Sequence, residues 1–237
     1  MNLIAFYEEK GTDLLGRSLL RILQWNEERL EKCHNYIQFL FPLPEMSNVN
    51  VNAPIIDRRV FDEFRLRPDL RRNLKMSFKK MLWFYGFRLE TEGERIKVCR
   101  GENFDQQSRI WDCRFDHNHL RITRIIRCLR VLGLEEEALA FRATLESSTI
   151  NVSARSREFW RRAAKRSLNL RPDFEEDDID GEDDLTVGPA FLREFEQRRK
   201  EQAQSDANAA RIKKEVENSE AQSNANSVRI KEEPEDF

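Results

Sequence analysis

No stretch of the 237 residues approaches the ~18 uninterrupted apolar side chains that a membrane span requires. The first ten residues, Met1 to Lys10, lack the basic-then-apolar order of a secretory signal. Neither secretion nor membrane spanning is expected. Cysteine is scarce: Cys33, Cys99, Cys113 and Cys128 do not make a disulfide framework in a chain of this length, so a reducing, nuclear or cytoplasmic setting is expected. The Asn151-Val152-Ser153 sequon carries no meaning without secretion. Glycine-rich phosphate loops, H-E-x-x-H and G-x-S-x-G are also missing, which leaves no announced catalytic apparatus and no cofactor. Cys113, His117 and His119 lie close in sequence but without a C-x2-C pair, so they do not form a zinc pattern. A non-enzymatic protein is expected.

Charge, by contrast, is plentiful. Charged residues make up 35% of the chain and hydrophobic ones 39%. That exceeds the ~25% charge of an average domain and points to a tail outside the core. The net charge of −2 conceals a division. Residues 1–172 hold 32 basic and 23 acidic side chains, a net of +9, and residues 173–237 hold 9 and 20, a net of −11. The change falls at Arg171-Pro172, after which Asp173 to Asp184 has nine acids in twelve positions. Such a run repels itself and buries almost nothing. Residues 173–237 are therefore expected to be a disordered acidic tail, with one island of order near 190–201.

The body, 1–172, shows helical periodicity without the strand-helix alternation of an α/β protein, so an all-α, multi-helix domain is expected. Thr12 is placed to cap a helix over Asp13 to Trp25, and Asn26 a helix from Glu27 to Leu40, before Pro42. Asp57 precedes a short helix to Phe64, and Pro68 opens another that Gly86 stops. Residues 88–113 have the weakest pattern, with a small strand around Arg95 to Val98 as their one extended element. Asp116 to Leu132, Glu135 to Glu146 and Ser153 to Leu168 complete the helices.

Two stretches are long and specific: His34-Asn35-Tyr36-Ile37-Gln38-Phe39-Leu40-Phe41-Pro42, and Asn118-His119-Leu120-Arg121-Ile122-Thr123-Arg124-Ile125. With Leu3 to Tyr7, Trp25-Asn26, Phe84-Tyr85-Gly86 and Leu132-Gly133-Leu134-Glu135, residues 3–165 resemble the N-terminal domain of the opioid growth factor receptor family. Phe39 stands where that family usually has Trp, and His119 where a second Asn is usual. The family name implies an enkephalin-binding receptor acting on growth. The motif positions that match are His34, Tyr36, Gln38, Asn118, Arg121 and Thr123.

Two basic features offer binding surfaces. On the Asn118–Gly133 helix, Ile122, Ile125, Ile126, Leu129 and Leu132 share one arc, and Arg121, Arg124, Arg127 and Arg130 the other. That arginine face reads first as a solvated one. The sharper alternative is an anion site at the helix start, built on Arg121 and Arg124. Along 155–171, Arg161, Arg162, Lys165 and Arg166 flank Phe159 and Trp160. This basic helix suits the adjacent acidic run, nucleic acid, a peripheral contact with an acidic membrane, or an import factor. His34, beside Cys33 on the expected helix, reads as a buried packing residue.

The tail repeats itself eighteen residues apart: Gln204-Ser205-Asp206-Ala207-Asn208 with Ile212-Lys213-Lys214-Glu215, then Gln222-Ser223-Asn224-Ala225-Asn226 with Ile230-Lys231-Glu232-Glu233. Both copies fit the hydrophobic-Lys-x-Glu acceptor pattern of a small ubiquitin-like modifier, with Lys213 and Lys231 as acceptors. The favoured function is a module recognising a peptide or protein partner, with a modifiable regulatory tail. The alternative is a nucleic-acid-binding protein whose acidic tail competes for its basic surface.

Overall fold

The computed structural model describes residues 1–47, 50–93, 95–173 and 188–229. The chain divides into two units, one spanning Met1–Pro189 and one beginning at Ala190. In the first, the helices run α1 (Leu3–Tyr7), α2 (Leu19–Leu23), α3 (Glu27–Lys32), α4 (Ile37–Leu40), α5 (Arg58–Leu66) and α6 (Pro68–Tyr85). Strands β1 (Phe87–Glu92) and β2 (Arg95–Arg100) follow, then α7 (Phe104–Trp111), α8 (His117–Val131), α9 (Glu135–Ser148) and α10 (Ala154–Lys165). The second unit holds α11 (Ala190–Arg229).

Local chemistry explains most helix starts. Asn26, Asp57 and Ser153 each accept a hydrogen bond from the backbone N–H three residues on, at 3.0, 2.8 and 3.2 Å. Asp116 accepts from the N–H of Asn118 at 2.7 Å. Pro68 fills the first turn of α6, where no donor is needed, and Gly86 ends it at φ 88°. An alanine Cβ at Gly86 would lie 2.6 Å from the Phe104 Cα, so the residue answers both a left-handed turn and a close approach.

Four expectations need correction. The all-α class gives way to a mostly helical fold with one antiparallel hairpin, β1 against β2, Phe87 facing Arg100 and Leu89 facing Val98. Its strands are largely polar, so alternation in the sequence is faint. The helix expected from Asp13 does not begin until Leu19, capped by Ser18. The buried Asp13 carboxylate instead accepts the backbone N–H groups of Leu15 and Arg17 at 2.9 Å and binds the Arg17 guanidinium at 2.5 Å. Side-chain-to-backbone bonds of this kind compete with helix. The helix expected from Glu27 to Leu40 breaks after Lys32 and resumes at Ile37.

The fourth correction concerns the tail, where residues 190–229 form a single helix rather than a short island. Ala, Gln, Glu, Lys and Arg dominate that stretch and all favour helix. Polar pairs at i, i+4 join Gln197 to Glu201 and Gln202 to Asp206, both at 2.8 Å. The acidic run after Asp173, and the pairing expected between it and the basic helix, fall on residues 174–187, outside the described residues.

The core of the first unit is built around α8. Ile122, Ile125, Ile126, Cys128, Leu129 and Val131 are fully buried there. The arginines of its other arc, expected in solvent, are buried too: Arg121, Arg127 and Arg130 are 5%, 1% and 7% exposed. Their guanidinium groups bind backbone carbonyls at the ends of other helices. Arg121 takes Leu30, Glu31 and Cys33, closing α3, and Arg130 takes Ala163 and Arg166, closing α10. Arg65 does the same for α8 through Arg130 and Val131, and Arg71 for α5 through Phe64 and Arg65. A helix end leaves carbonyls without intrahelical donors, and a guanidinium presents five N–H groups in a fixed fork. Part of the positive charge of this body is thus structural. Among the described residues, no helix is long and apolar enough to cross a membrane.

Candidate functional site

A cavity of about 300 Å³ opens beside the first half of α8. Its walls come from His34, Ile37 and Gln38 before and on α4, Leu43 and residues 45–47 after it, α8 itself, Phe159 of α10, and the strap Arg171–Asp173. The two long motif stretches, far apart in sequence, meet here. Of the six motif positions, His34, Gln38, Arg121 and Thr123 line the cavity. Tyr36 and Asn118 lie buried behind it, Asn118 Nδ2 donating to Glu31 at 3.2 Å and the Arg121 guanidinium packing 5.7 Å from the Tyr36 ring.

Much of the wall is apolar: Ile37, Leu43, Met46, Leu120 and Phe159. Leu120 and Met46, both lining the cavity, are 62% and 69% accessible. A second depression shares Leu120, Thr123, His117 and Phe159 and extends the surface past Phe115. Together they make a continuous groove across α8 and α10.

Polar groups punctuate that apolar wall. Arg127 pairs with Glu45 at 2.6 Å and donates to the Leu168 carbonyl at 2.6 Å. Its Nε, however, has no hydrogen-bond partner among the described residues, and neither has Gln38 Oε1. Both side chains are buried, Gln38 at 4% exposure. A buried donor and a buried acceptor left unsatisfied cost free energy. Arg171 pairs with Asp173 at 2.6 Å. Arg124 differs from its neighbours: it donates to the Phe41 carbonyl at 3.1 Å and, among the described residues, has no carboxylate in ion-pair range. Burial lowers its pKa from the usual arginine value, with Cys128 and Glu45 acting the other way.

His34 is exposed, which corrects the expectation of a buried packing histidine. Because α3 has already ended, Cys33 and His34 are not on a helix. The His34 ring lies 5.2 Å from that of His117, edge to face, and its Nδ1 sits 3.1 Å from Arg121 Nη2. His117 in turn meets Glu31 at 3.3 Å. His119 goes elsewhere, buried between the Trp111 carbonyl at 2.8 Å and Ser156 Oγ at 3.1 Å. Cys113 contacts the Phe115 carbonyl. Among the described residues, no three such side chains gather in a metal-binding arrangement.

The basic residues singled out from the sequence do not form one patch. Arg121 and Arg124 reach the cavity, but Arg121 is committed to carbonyls. Arg161 and Arg162 both bind Glu158, at 2.6 and 2.9 Å, and hold its carboxyl at a pKa of about 2. Arg166 is buried and donates to the Arg171 carbonyl, whereas Lys165 is exposed. Lys213 lies on α11 with an exposed side chain, 3.9 Å from Glu217. Ile230 and Lys231 are outside the described residues. Sequence reasoning missed Met46, Glu45 and Phe159 as neighbours of Gln38, and nothing in their spacing would have joined them.

Comparison with known proteins places the similarity on this same region. A family described as the opioid growth factor receptor (OGFr) conserved region matches residues 5–157. The opioid growth factor receptor of Rattus norvegicus is 39% identical over 152 residues, covering 62% of this chain and 26% of that protein. The Homo sapiens protein of the same name is 38% identical over 126 residues, 53% of this chain and 18% of its own length. Opioid growth factor receptor-like protein 1 of Mus musculus is 30% identical over 139 residues, 56% of this chain and 29% of its own. The chain thus spans about a quarter of the length of the curated relatives it matches. No solved structure matches.

Proposed function

The chain belongs to the opioid growth factor receptor family, and we propose that its helical body is a non-enzymatic recognition module that takes a short peptide segment in the cavity between α4, α8 and α10. The observation that carries this reading is the cavity itself, where the apolar side chains of Ile37, Leu43, Leu120 and Phe159 stand beside fixed charged groups, Arg124 among them. An apolar cleft with a few fixed polar groups is the common form of a ligand site. The Arg124 guanidinium offers N–H donors to the C=O groups of a peptide. Its relatives are named as receptors for opioid growth factor, which is consistent with a peptide occupant.

Selection of displayed random heptapeptides on the full chain tests the reading. Enriched peptides should bind Leu120→Glu at least about tenfold more weakly, since a charge at the mouth replaces exposed apolar contact. Leu120 is mostly exposed, so the variant should melt like the parent. Enrichment of no peptide, or equal binding to both proteins, would remove the cavity as the recognition site.

The nucleic-acid alternative has fewer residues to draw on, because Arg121 and Arg166 are committed to internal carbonyls. The regulatory part of the proposal keeps Lys213 and Lys231 as acceptors for a small ubiquitin-like modifier, acting on a nuclear or cytoplasmic protein. Ile212 and Lys213 are exposed, as an enzyme approaching the first acceptor needs. The conjugating enzyme binds an extended peptide, so α11 must open locally around Lys213.

A further inference from the structure

Arg124 is the one arginine of the cavity wall with no described carboxylate or multiple carbonyls to satisfy it. Glu45 is engaged by Arg127, Asp173 by Arg171, and Glu31 faces His117 and Arg121. Arg124 has five N–H donors, and its one hydrogen bond among the described residues goes to the Phe41 carbonyl. It is half-buried beside apolar Leu43 and Leu120, where a guanidinium is partly stripped of water and an anion gains more from approaching it. We infer that the cavity is built for a carboxylate on an apolar peptide residue: the carboxylate sits on the Arg124 fork and the apolar side chain lies against Leu120, Met46 and Phe159. This deepens the peptide reading above and rests on it.

Two features support the assignment. The planar guanidinium fork matches a carboxylate in two-point geometry. The exposed apolar side chains of Leu120 and Met46 line the same cavity as Arg124, so one residue can satisfy both kinds of contact. The volume of about 300 Å³ lies at the small end for ligand clefts and suits one or two residues rather than a long segment.

The test titrates the full chain with N-acetyl-phenylalanyl-leucine as the free acid and as the carboxamide, following the Met46 and Leu120 methyl resonances. The acid is expected to bind about ten- to a hundredfold more tightly than the amide, the range for a hydrogen bond to a charged group. Arg124→Gln should bring the acid down to the amide's affinity, and Arg124→Lys should keep part of the preference. Melting temperatures of both variants separate lost binding from lost folding, and the lysine variant keeps the test valid if the glutamine one unfolds. Equal binding of acid and amide, or an acid preference unchanged in Arg124→Gln, overturns the inference and leaves the peptide reading standing. Neither form shifting those resonances overturns both.

Discussion

Several arginines of this body are internal fasteners. Arg121 closes α3 by donating to three of its terminal carbonyls, and it also reaches Asn118 Oδ1 at 3.1 Å. Removing it leaves several buried acceptors unsatisfied at once, so Arg121→Met is expected to cost about 3 kcal/mol or more. Arg121→Lys should recover only part of that, because a compact ammonium cannot span carbonyls that a planar fork reaches. Denaturant unfolding of the three proteins checks the order. Glu158 gives the complementary prediction. Its hydrogen bonds from Arg161, then Arg162, hold its folded pKa near 2, below the ordinary value of 4.5. A depressed carboxylate pKa stabilises the fold above the unfolded pKa, and that contribution disappears as pH falls through the folded one. The melting-temperature gap between the parent and Glu158→Gln should be constant above about pH 5, shrink below it and close near pH 2.

Gly86 shows how an element boundary combines two demands. Its φ of 88° disfavours any side chain, and an added Cβ would press on the Phe104 backbone. Gly16, at φ 70°, has nothing within 4 Å. Gly16→Ala should therefore lose only the conformational part, about 1–2 kcal/mol, and Gly86→Ala clearly more. Comparing the two melting curves separates backbone strain from steric conflict. Boundaries like this one, and the caps at Asn26 and Asp57, are legible in the sequence because cap and stop chemistry acts over three or four residues. The break after Lys32 was not readable, because the donor that closes α3 lies some ninety residues away on α8. The hairpin was faint because a small polar sheet has little apolar alternation to show.

The charge division of the whole chain, +9 before residue 173 and −11 after it, survives as arithmetic but changes meaning. The positive body is not a uniformly basic surface, since several of its arginines face inward. The acidic part includes a long helix carrying Lys213, so modification of that acceptor should depend on local opening of α11. In a reconstituted conjugation reaction the parent is expected to yield two modified products, Lys213→Arg and Lys231→Arg one each, and the double variant none. Helix-breaking Ala210→Pro should speed attachment at Lys213 by exposing an extended peptide. Equal rates for the parent and Ala210→Pro would mean that α11 does not limit access.

The sequence by itself determined the family, most helix starts, the apolar arc of α8 and the residues of both motif stretches. Each of these depends on spacing within a few residues or on the identity of a contiguous string. Only the tertiary structure decided that His34 and Gln38 share a wall with Thr123 and Arg124, that Arg121 faces inward, and that Arg124, of the cavity's arginines, has no carboxylate in ion-pair range among the described residues. Burial and pairing of a charge are set by what folds against it, and one helical arc of arginines reads the same in sequence whether it meets water or carbonyls.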